Sequence, residues 1–149
     1  MSLIDYQGLW ESYQTEFKLA ANYKLMEFGN TVEMAQELAE LVLKGEKTAT
    51  SALLAYYEVR SETPSQVGDC YFLLGGSKSP VALIEITKVN QIKFGEVDEV
   101  FAKAEGDGQL SNWLSIHRPY YTAQLKAINQ ELKPDTLLEA TYFKVLKRI

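Results

Sequence analysis

The sequence predicts an α+β fold, in which helices come first and strands follow around a small curved sheet. Apolar residues recur at helical spacing over the first third of the 149 residues. From Gly68 onward, β-branched and aromatic runs are separated by turn residues, as in strands. The chain is 46% hydrophobic and 23% charged, which is typical of a globular domain and excludes a disordered or fibrous protein.

Two helices are predicted before the strands. The first covers residues 5–22, where apolar residues are spaced helically and no proline intervenes. The second follows Asn30, which with Glu33 resembles a capping arrangement, and it stops at Gly45. It is expected to bury one apolar face, formed by Met34, Leu38, Leu41 and Val42.

Three strands are predicted in the second half of the chain. The first covers residues 70–74, and the second covers residues 81–89 after a turn over residues 75–80. The third covers residues 137–146, which are rich in β-branched and aromatic side chains. Residues 53–57 fit either a short helix or a strand.

A further helix is predicted after Gly108 and Ser111, where apolar residues return to helical spacing. Pro119 lies inside this segment and lacks the backbone N–H that a helix interior uses. We therefore expect a kink there, or a new first turn near Arg118.

Cysteine content and hydropathy bear on the compartment in which the protein works. The single cysteine, Cys70, excludes an internal disulfide and a thiolate metal cluster, and it is expected to fill the core. No apolar stretch approaches the roughly 20 residues of a membrane span. The N-terminal residues lack the basic and apolar regions of a signal peptide. We expect a cytoplasmic protein without a membrane partner.

The net charge of −5 is concentrated at one end of the chain. Residues 1–43 hold seven acidic residues against Lys18 and Lys24, so this segment alone accounts for −5 and the remainder is neutral. Such a protein lacks the broad basic face that extended duplex DNA requires. Recognition of one nucleoside or of a short single strand in a pocket stays possible.

The segment from Gly45 to Thr50 offers one set of groups for catalysis. It places Lys47 and the hydroxyls of Thr48 and Thr50 just past the second helix. A partly buried lysine has a lowered pKa and can act as a base, and a threonine within its reach can attack a carbonyl. In an extended strand Lys47 and Thr50 would point to opposite faces, so they converge only if the chain turns. A structural role at a helix-to-strand junction is the simpler interpretation.

Glu105 and Asp107 form a second candidate. Two carboxylates flanked by Gly106 and Gly108 suit general acid/base chemistry, because glycines allow a substrate to approach the backbone. The alternative is a solvated turn before a helix, capped by Asp107 or Ser111. That alternative is favoured for Asp107.

The lone histidine and the aromatic residues give weaker signals. His117 is the only histidine, and without a second one or a cysteine cluster the sequence argues against a zinc site. Most aromatic residues at helical spacing belong to the core. Those that could instead stack on a base are Tyr56, Tyr57, Trp113, Tyr120 and Tyr121.

Three blocks of the sequence together resemble the ASCH domain family, a branch of the PUA-like superfamily. The first is Gly-x-Lys-x-x-Thr at residues 45–50, and the second is Val-Gly-Asp at residues 67–69. The third is Phe-Ala-x-x-Glu-Gly within residues 101–108, followed by Trp113 and His117, which is similar to the longer bacterial members.

The resemblance implies a PUA-like fold, a small β-barrel or curved mixed sheet with flanking helices. Residues 1–24 would be an added N-terminal helical extension, and residues 25–149 would be the ASCH domain. The family implies RNA or nucleoside binding in a cleft beside the Gly-x-Lys-x-x-Thr loop. Some small bacterial members remove the acetyl group from N4-acetylcytidine with a lysine, a threonine and a glutamate.

From this resemblance we expect an amidohydrolase that acts on an acylated nucleoside without a metal or another cofactor. Lys47 would be the base, Thr50 the nucleophile, and Glu105 the group that handles the proton of the leaving amine. Their side chains should then converge in one cleft, within hydrogen-bond range. The expected substrate contacts are Gly45, Thr48, Tyr56, Asp107, Trp113 and His117.

Two alternatives stay open. The first is an RNA-binding module without catalysis, in which a solvent-facing Lys47 contacts phosphate and Tyr56 or Trp113 stacks on a base. The second is a metal-assisted nuclease that uses Glu105 and Asp107, which has the least support.

Overall fold

The computed structural model describes residues 4–19, 22–29 and 31–149, which form one mixed sheet flanked by helices. The strands are β1 (Tyr23–Met26), β2 (Ala49–Leu53), β3 (Cys70–Leu74), β4 (Pro80–Lys93) and β5 (Leu137–Arg148). The helices are α1 (Tyr6–Phe17), α2 (Val32–Leu43), α3 (Leu54–Val59), α4 (Glu99–Ala104) and α5 (Leu110–Lys126). A 3₁₀ turn, Phe94–Glu96, follows β4.

The five strands lie in the order β1-β3-β4-β5-β2. Only the β1–β3 pair is parallel, and the other three pairs are antiparallel. The order places β1 and β2 at the two ends, so the sheet is open and not closed into a barrel. The predicted α+β fold with a mixed sheet is confirmed, and among the described residues no strand pairs with the outer edge of β2.

Helix α1 is shorter than the sequence predicts. Its first turn is capped by Asp5, whose carboxylate accepts a hydrogen bond from the Gly8 N–H at 2.8 Å. The helix ends at Phe17 because Lys18 adopts the left-handed conformation (φ 56°) and closes it. Residues 20 and 21, at the end of the predicted helix, lie outside the described residues. Residues 23–26 form the unpredicted strand β1.

Helix α2 has its predicted length but a different buried face. Its described cap is Thr31, whose hydroxyl accepts from the Met34 N–H at 3.1 Å, while Asn30 lies outside the described residues. Met34 is 37% exposed, so the predicted apolar face is only partly right. The buried residues of α2 are Ala35, Ala39 and Val42, of which Ala39 and Val42 pack with the sheet. Small alanines let a helix pack closely on a sheet, which periodicity alone did not reveal.

The later elements follow the predictions closely. Strand β3 has the predicted bounds, and β4 and β5 extend a few residues beyond theirs. The ambiguity at residues 53–57 resolves largely in favour of a short helix, since Leu53 ends β2 and residues 54–57 belong to α3. Helix α5 continues through Pro119, so the new first turn expected near Arg118 does not occur. It starts after Gln109 and not at a Ser111 or Asp107 cap, and the Glu99 carboxylate accepts from its first N–H at 3.0 Å.

The sheet buries both of its faces. On β3, Tyr71 and Leu73 pack with α2, whereas Cys70 and Phe72 on the opposite face pack with Trp10 of α1. Cys70 is a buried core residue, as predicted. Around β2 and β5, a third cluster packs against α4 and α5. Within the described residues, no helix combines the length and apolar content that a membrane span requires.

Candidate functional site

A buried lysine and a buried glutamate cover the free edge of β2. The Lys47 Nζ donates to the carbonyl oxygen of Ala49 at 2.8 Å and to that of Glu105 at 3.1 Å. The Glu105 Oε1 accepts from the Ser51 N–H at 3.2 Å and lies 3.7 Å from the Lys47 Nζ. The pair therefore satisfies edge groups of β2 that no other strand in the described part of the chain reaches.

Turns position both members of the pair. Lys47 follows Gly45, which adopts a positive φ of 78° after the end of α2. Glu105 caps the C-terminus of α4, and Gly106 (φ 93°) turns the chain away from it. A Cβ at Gly106 would lie 3.3 Å from the Cβ of Lys47, so the close approach of these two segments depends on glycine.

Glu105 is saturated with hydrogen-bond donors. Besides the Ser51 N–H on Oε1, its Oε2 accepts from the Ser51 hydroxyl at 2.9 Å and from the Trp113 indole N–H. The His117 Nε2 lies 3.5 Å from the same oxygen. A carboxylate with this many donors is held in its ionised form.

The pKa values of the pair reflect two opposing effects. Burial by itself raises the pKa of Glu105, but the contacts with His117, Lys47 and Trp113 outweigh burial and lower this pKa to about 2. Burial lowers the pKa of Lys47, and the charges of Glu105 and Asp107 oppose that change only in part. The site thus combines an ionised carboxylate with a lysine that releases its proton more readily than usual.

His117 links Glu105 to Asp107. Its ring stacks on the Trp113 ring, with centroids 4.2 Å apart. Its Nδ1 lies 2.9 Å from the Trp113 carbonyl oxygen and 3.8 Å from Asp107 Oδ2. Burial disfavours the charged ring, but the hydrogen bond and charge of Glu105 raise the pKa of His117. That Asp107 oxygen is buried without a hydrogen-bond partner among the described residues, and burial raises the pKa of Asp107.

Three of these side chains are close enough to share a metal ion. Glu105, Asp107 and His117 each offer one donor atom, and these atoms lie within 4.8 Å of one another. However, Glu105 Oε2 already accepts several protein hydrogen bonds, and the Lys47 ammonium beside it repels a cation. These contacts favour a metal-free site.

A cleft of about 310 Å³ opens beside the pair. Ser51 and four tyrosines are among its lining residues, and the Arg60 guanidinium lies 5.2 Å from the centre of the Tyr56 ring. The Ser51 hydroxyl, which contacts Glu105, is also hydrogen-bonded to the Tyr121 hydroxyl. The lining tyrosines are Tyr56, Tyr57, Tyr120 and Tyr121.

The structure brings together two of the three expected catalytic residues. Lys47 and Glu105 meet, but Thr50 lies in the extended strand β2, opposite Thr141. Because side chains alternate along a strand, Thr50 points to the face opposite that of Ser51. The Thr50 hydroxyl makes no hydrogen bond with a described residue, and Ser51 takes the place beside Glu105. The chain does not make the turn that convergence of Lys47 and Thr50 requires.

The other expected contacts occupy different surroundings. Tyr56 lines the 310 Å³ cleft, whereas Gly45 and Thr48 line a separate surface depression of about 550 Å³. Trp113 is 0% exposed, so its ring offers no face to a base and instead holds Glu105 and His117.

The solvated-turn alternative is wrong for Glu105, which is 4% exposed. Asp107, partly buried beside His117, does not cap α5.

Sequence reasoning missed Ser51 entirely and considered Tyr121 only as a stacking residue. Both carry hydroxyls at the junction of the cleft and the buried pair. The available signal was the strand parity of β2, which places Thr50 and Ser51 on opposite faces once residues 49–53 are assigned to a strand.

Comparisons with known proteins agree with this architecture. The ASCH domain family model matches residues 24–147. An ASCH domain structure from Lactobacillus crispatus is 28% identical, with a TM-score of 0.86 over 97% of this chain and 96% of that chain. A protein structure from Enterococcus faecalis is 30% identical, with a TM-score of 0.85 over 94% of this chain and 86% of that chain. No curated protein matches the sequence. Since the family model spans most of its length, the chain belongs to the ASCH domain family.

Proposed function

We propose that this ASCH domain hydrolyses an acyl amide on a nucleoside-type ligand, with N4-acetylcytidine as the model substrate. The observation that carries the proposal is the buried Lys47–Glu105 pair, which reaches a small cleft through a hydroxyl of β2. Buried charges are costly to maintain, and strongly perturbed groups beside a cleft are typical of catalytic sites.

The cleft supports a small, planar ligand. Its volume of about 310 Å³ lies at the lower end of the range for small-molecule sites. The tyrosine rings that line the cleft suit a nucleobase, because every base has a flat face that can stack on an aromatic ring. The ligand would therefore lie against tyrosines and present its acyl group to the Ser51 side of the cleft.

The charges of the pair suit amide cleavage. This reaction needs a nucleophile, stabilisation of a developing oxyanion, and a proton for the departing nitrogen. Lys47 supplies a positive charge 3.7 Å from the Glu105 carboxylate. Ionised Glu105 accepts the hydrogen bond of the Ser51 hydroxyl, and it takes up a proton and returns it to the leaving amine. The attacking hydroxyl comes from β2.

Binding of RNA without catalysis is the second candidate. Such a module needs a solvent-facing lysine on a positive strip, but Lys47 is 3% exposed, and Glu27 and Glu62 line the cleft together with Arg60. This arrangement favours a small ligand over a polyanion.

The test is hydrolysis of N4-acetylcytidine by the purified protein, followed by chromatography of cytidine and acetate. We expect turnover that is lost in Lys47→Met and retained in Lys44→Met, which removes a neighbouring exposed lysine. Circular dichroism checks that both variants fold. Absence of turnover by folded wild-type protein would contradict the proposal and make binding of short single-stranded RNA, at defined salt, the next measurement.

A further inference from the structure

Ser51 joins the buried pair to the cleft. It lines the 310 Å³ cleft, and both its backbone N–H and its hydroxyl contact the Glu105 carboxylate, at 3.2 and 2.9 Å. Lys47 and Glu105 are themselves almost fully buried and are not part of the cleft lining. A ligand in the cleft would therefore reach the pair through Ser51.

The hydrogen bonds of Ser51 show which neighbouring group accepts its hydroxyl proton. Its hydroxyl donates to Oε2 of Glu105, which is ionised and has no proton to give. On its other side, Ser51 Oγ is hydrogen-bonded to the Tyr121 hydroxyl, and burial raises the pKa of Tyr121 well above its usual value. Tyr121 therefore stays protonated and donates to Ser51, which donates to Glu105.

We propose that Ser51 is the nucleophile of the amide hydrolysis, an inference that rests on the proposed function. Thr50 and Ser51 both carry a hydroxyl on β2, but side chains alternate along a strand, so the two hydroxyls point to opposite faces of the sheet. Ser51 contacts Glu105, whereas Thr50 faces the opposite side of the sheet beside Thr141.

The reaction balances with the groups present and one water molecule. Ser51 Oγ forms a bond to the acyl carbon as its proton passes to Glu105, and the Tyr121 hydroxyl donates to the developing oxyanion. The C–N bond then breaks as Glu105 returns the proton to the leaving nitrogen. Water attacks the acyl-serine ester, and Glu105 accepts its proton. The Ser51–acyl bond then breaks, the proton returns to Ser51, and the carboxylic acid leaves.

The decisive experiment labels the folded protein with a fluorophosphonate, a serine-reactive probe whose fluoride is displaced by an activated hydroxyl. Tryptic digestion releases residues 48–60, and fragmentation of this peptide distinguishes Thr50 from Ser51. We expect the label on Ser51, loss of labelling in Ser51→Ala and Glu105→Gln, and full labelling in Ser115→Ala, which removes an exposed serine of α5.

Turnover of N4-acetylcytidine provides the second measurement. Ser51→Ala should lower kcat by roughly a millionfold, as removal of the nucleophile does in a serine hydrolase. A label on Thr50, or loss of turnover in Thr50→Val with activity kept in Ser51→Ala, would overturn the assignment.

The two proposals fail in different ways. A wild-type protein that takes the label on Ser51 but does not hydrolyse the amide would refute the proposed substrate and keep Ser51 as an activated nucleophile. A folded protein that neither takes the label nor hydrolyses the amide would refute both.

Discussion

The Lys47 ammonium lies 3.7 Å from the Glu105 carboxylate, and the two side chains are 3% and 4% exposed. The Glu105 carboxylate is compensated by His117, Lys47 and Trp113 and by the Ser51 N–H of the β2 edge. The Lys47 ammonium is compensated by Glu105 and by the carbonyl oxygen of Ala49. Removing water from two charges costs several kcal/mol per ion, which only good geometry and added hydrogen bonds offset. The pair is therefore both a candidate catalytic group and a structural element of the sheet edge.

Loss of either partner should destabilise the fold. Lys47→Met leaves the buried Glu105 carboxylate without its lysine partner, and a cost of about 3–5 kcal/mol is typical for such a change. Lys47→Met combined with Glu105→Gln should recover part of this loss, because the second change removes the unpaired charge. Urea unfolding of the single and double variants measures the coupling. Strictly additive losses would mean that the two charges do not stabilise each other.

Stability should also fall in acid, and Glu105 should contribute to this loss. The folded-state pKa of Glu105 is lowered from the usual 4.5 to about 2. As the pH falls, Glu105 therefore takes up its proton at a higher pH in the unfolded chain than in the folded protein. The resulting stabilisation is complete above about pH 4.5 and is lost as the pH falls from 4.5 towards 2. Chemical denaturation across this range should show the loss in wild type and a smaller one in Glu105→Gln. An identical acid profile in that variant would assign the effect to other carboxylates.

The sequence predicted the regular elements better than the geometry of the site. Strand β3 was bounded correctly because a run of apolar residues lies between turn residues. Strand β1 was missed because it has four residues and one parallel partner, β3, which lies far away in the sequence.

At the site, residue type indicated Lys47 and Glu105, but the choice between Thr50 and Ser51 depends on which face of β2 meets α4 and α5. Tertiary packing decides that, and no local pattern encodes it. Tertiary packing also determines the role of Trp113, because its indole N–H reaches Glu105 through the packing of α5.

The two tryptophans should respond differently to substitution by phenylalanine. Trp113→Phe keeps an aromatic ring but removes the donor to Glu105 Oε2, and loss of a hydrogen bond to a buried charge costs about 1.5–3 kcal/mol. Trp10 is equally buried, but its indole N–H has no partner among the described residues. Trp10→Phe therefore loses packing volume while it relieves an unsatisfied donor, and its net cost should be smaller. Thermal and urea unfolding compare the two variants, and equal losses would contradict a specific role for the Trp113 N–H.

Two glycines near Glu105 test how tightly its turn is packed. Gly106 and Gly108 both have positive φ, at 93° and 77°, so alanine at either position pays a similar backbone penalty of about 1–2 kcal/mol. A Cβ at Gly106 would also lie 3.2 Å from a methyl group of Leu41 and 3.3 Å from the Lys47 Cβ, whereas a Cβ at Gly108 meets nothing within 4 Å.

Gly106→Ala should therefore be the more destabilising change and should displace Lys47 from Glu105. Turnover of the model substrate should drop in Gly106→Ala and persist in Gly108→Ala, with urea unfolding run on both proteins. The backbone strain is similar in the two variants and cancels in the comparison. Similar stability and activity would therefore show that the contact between the Gly106 turn and Lys47 does not hold the site in place.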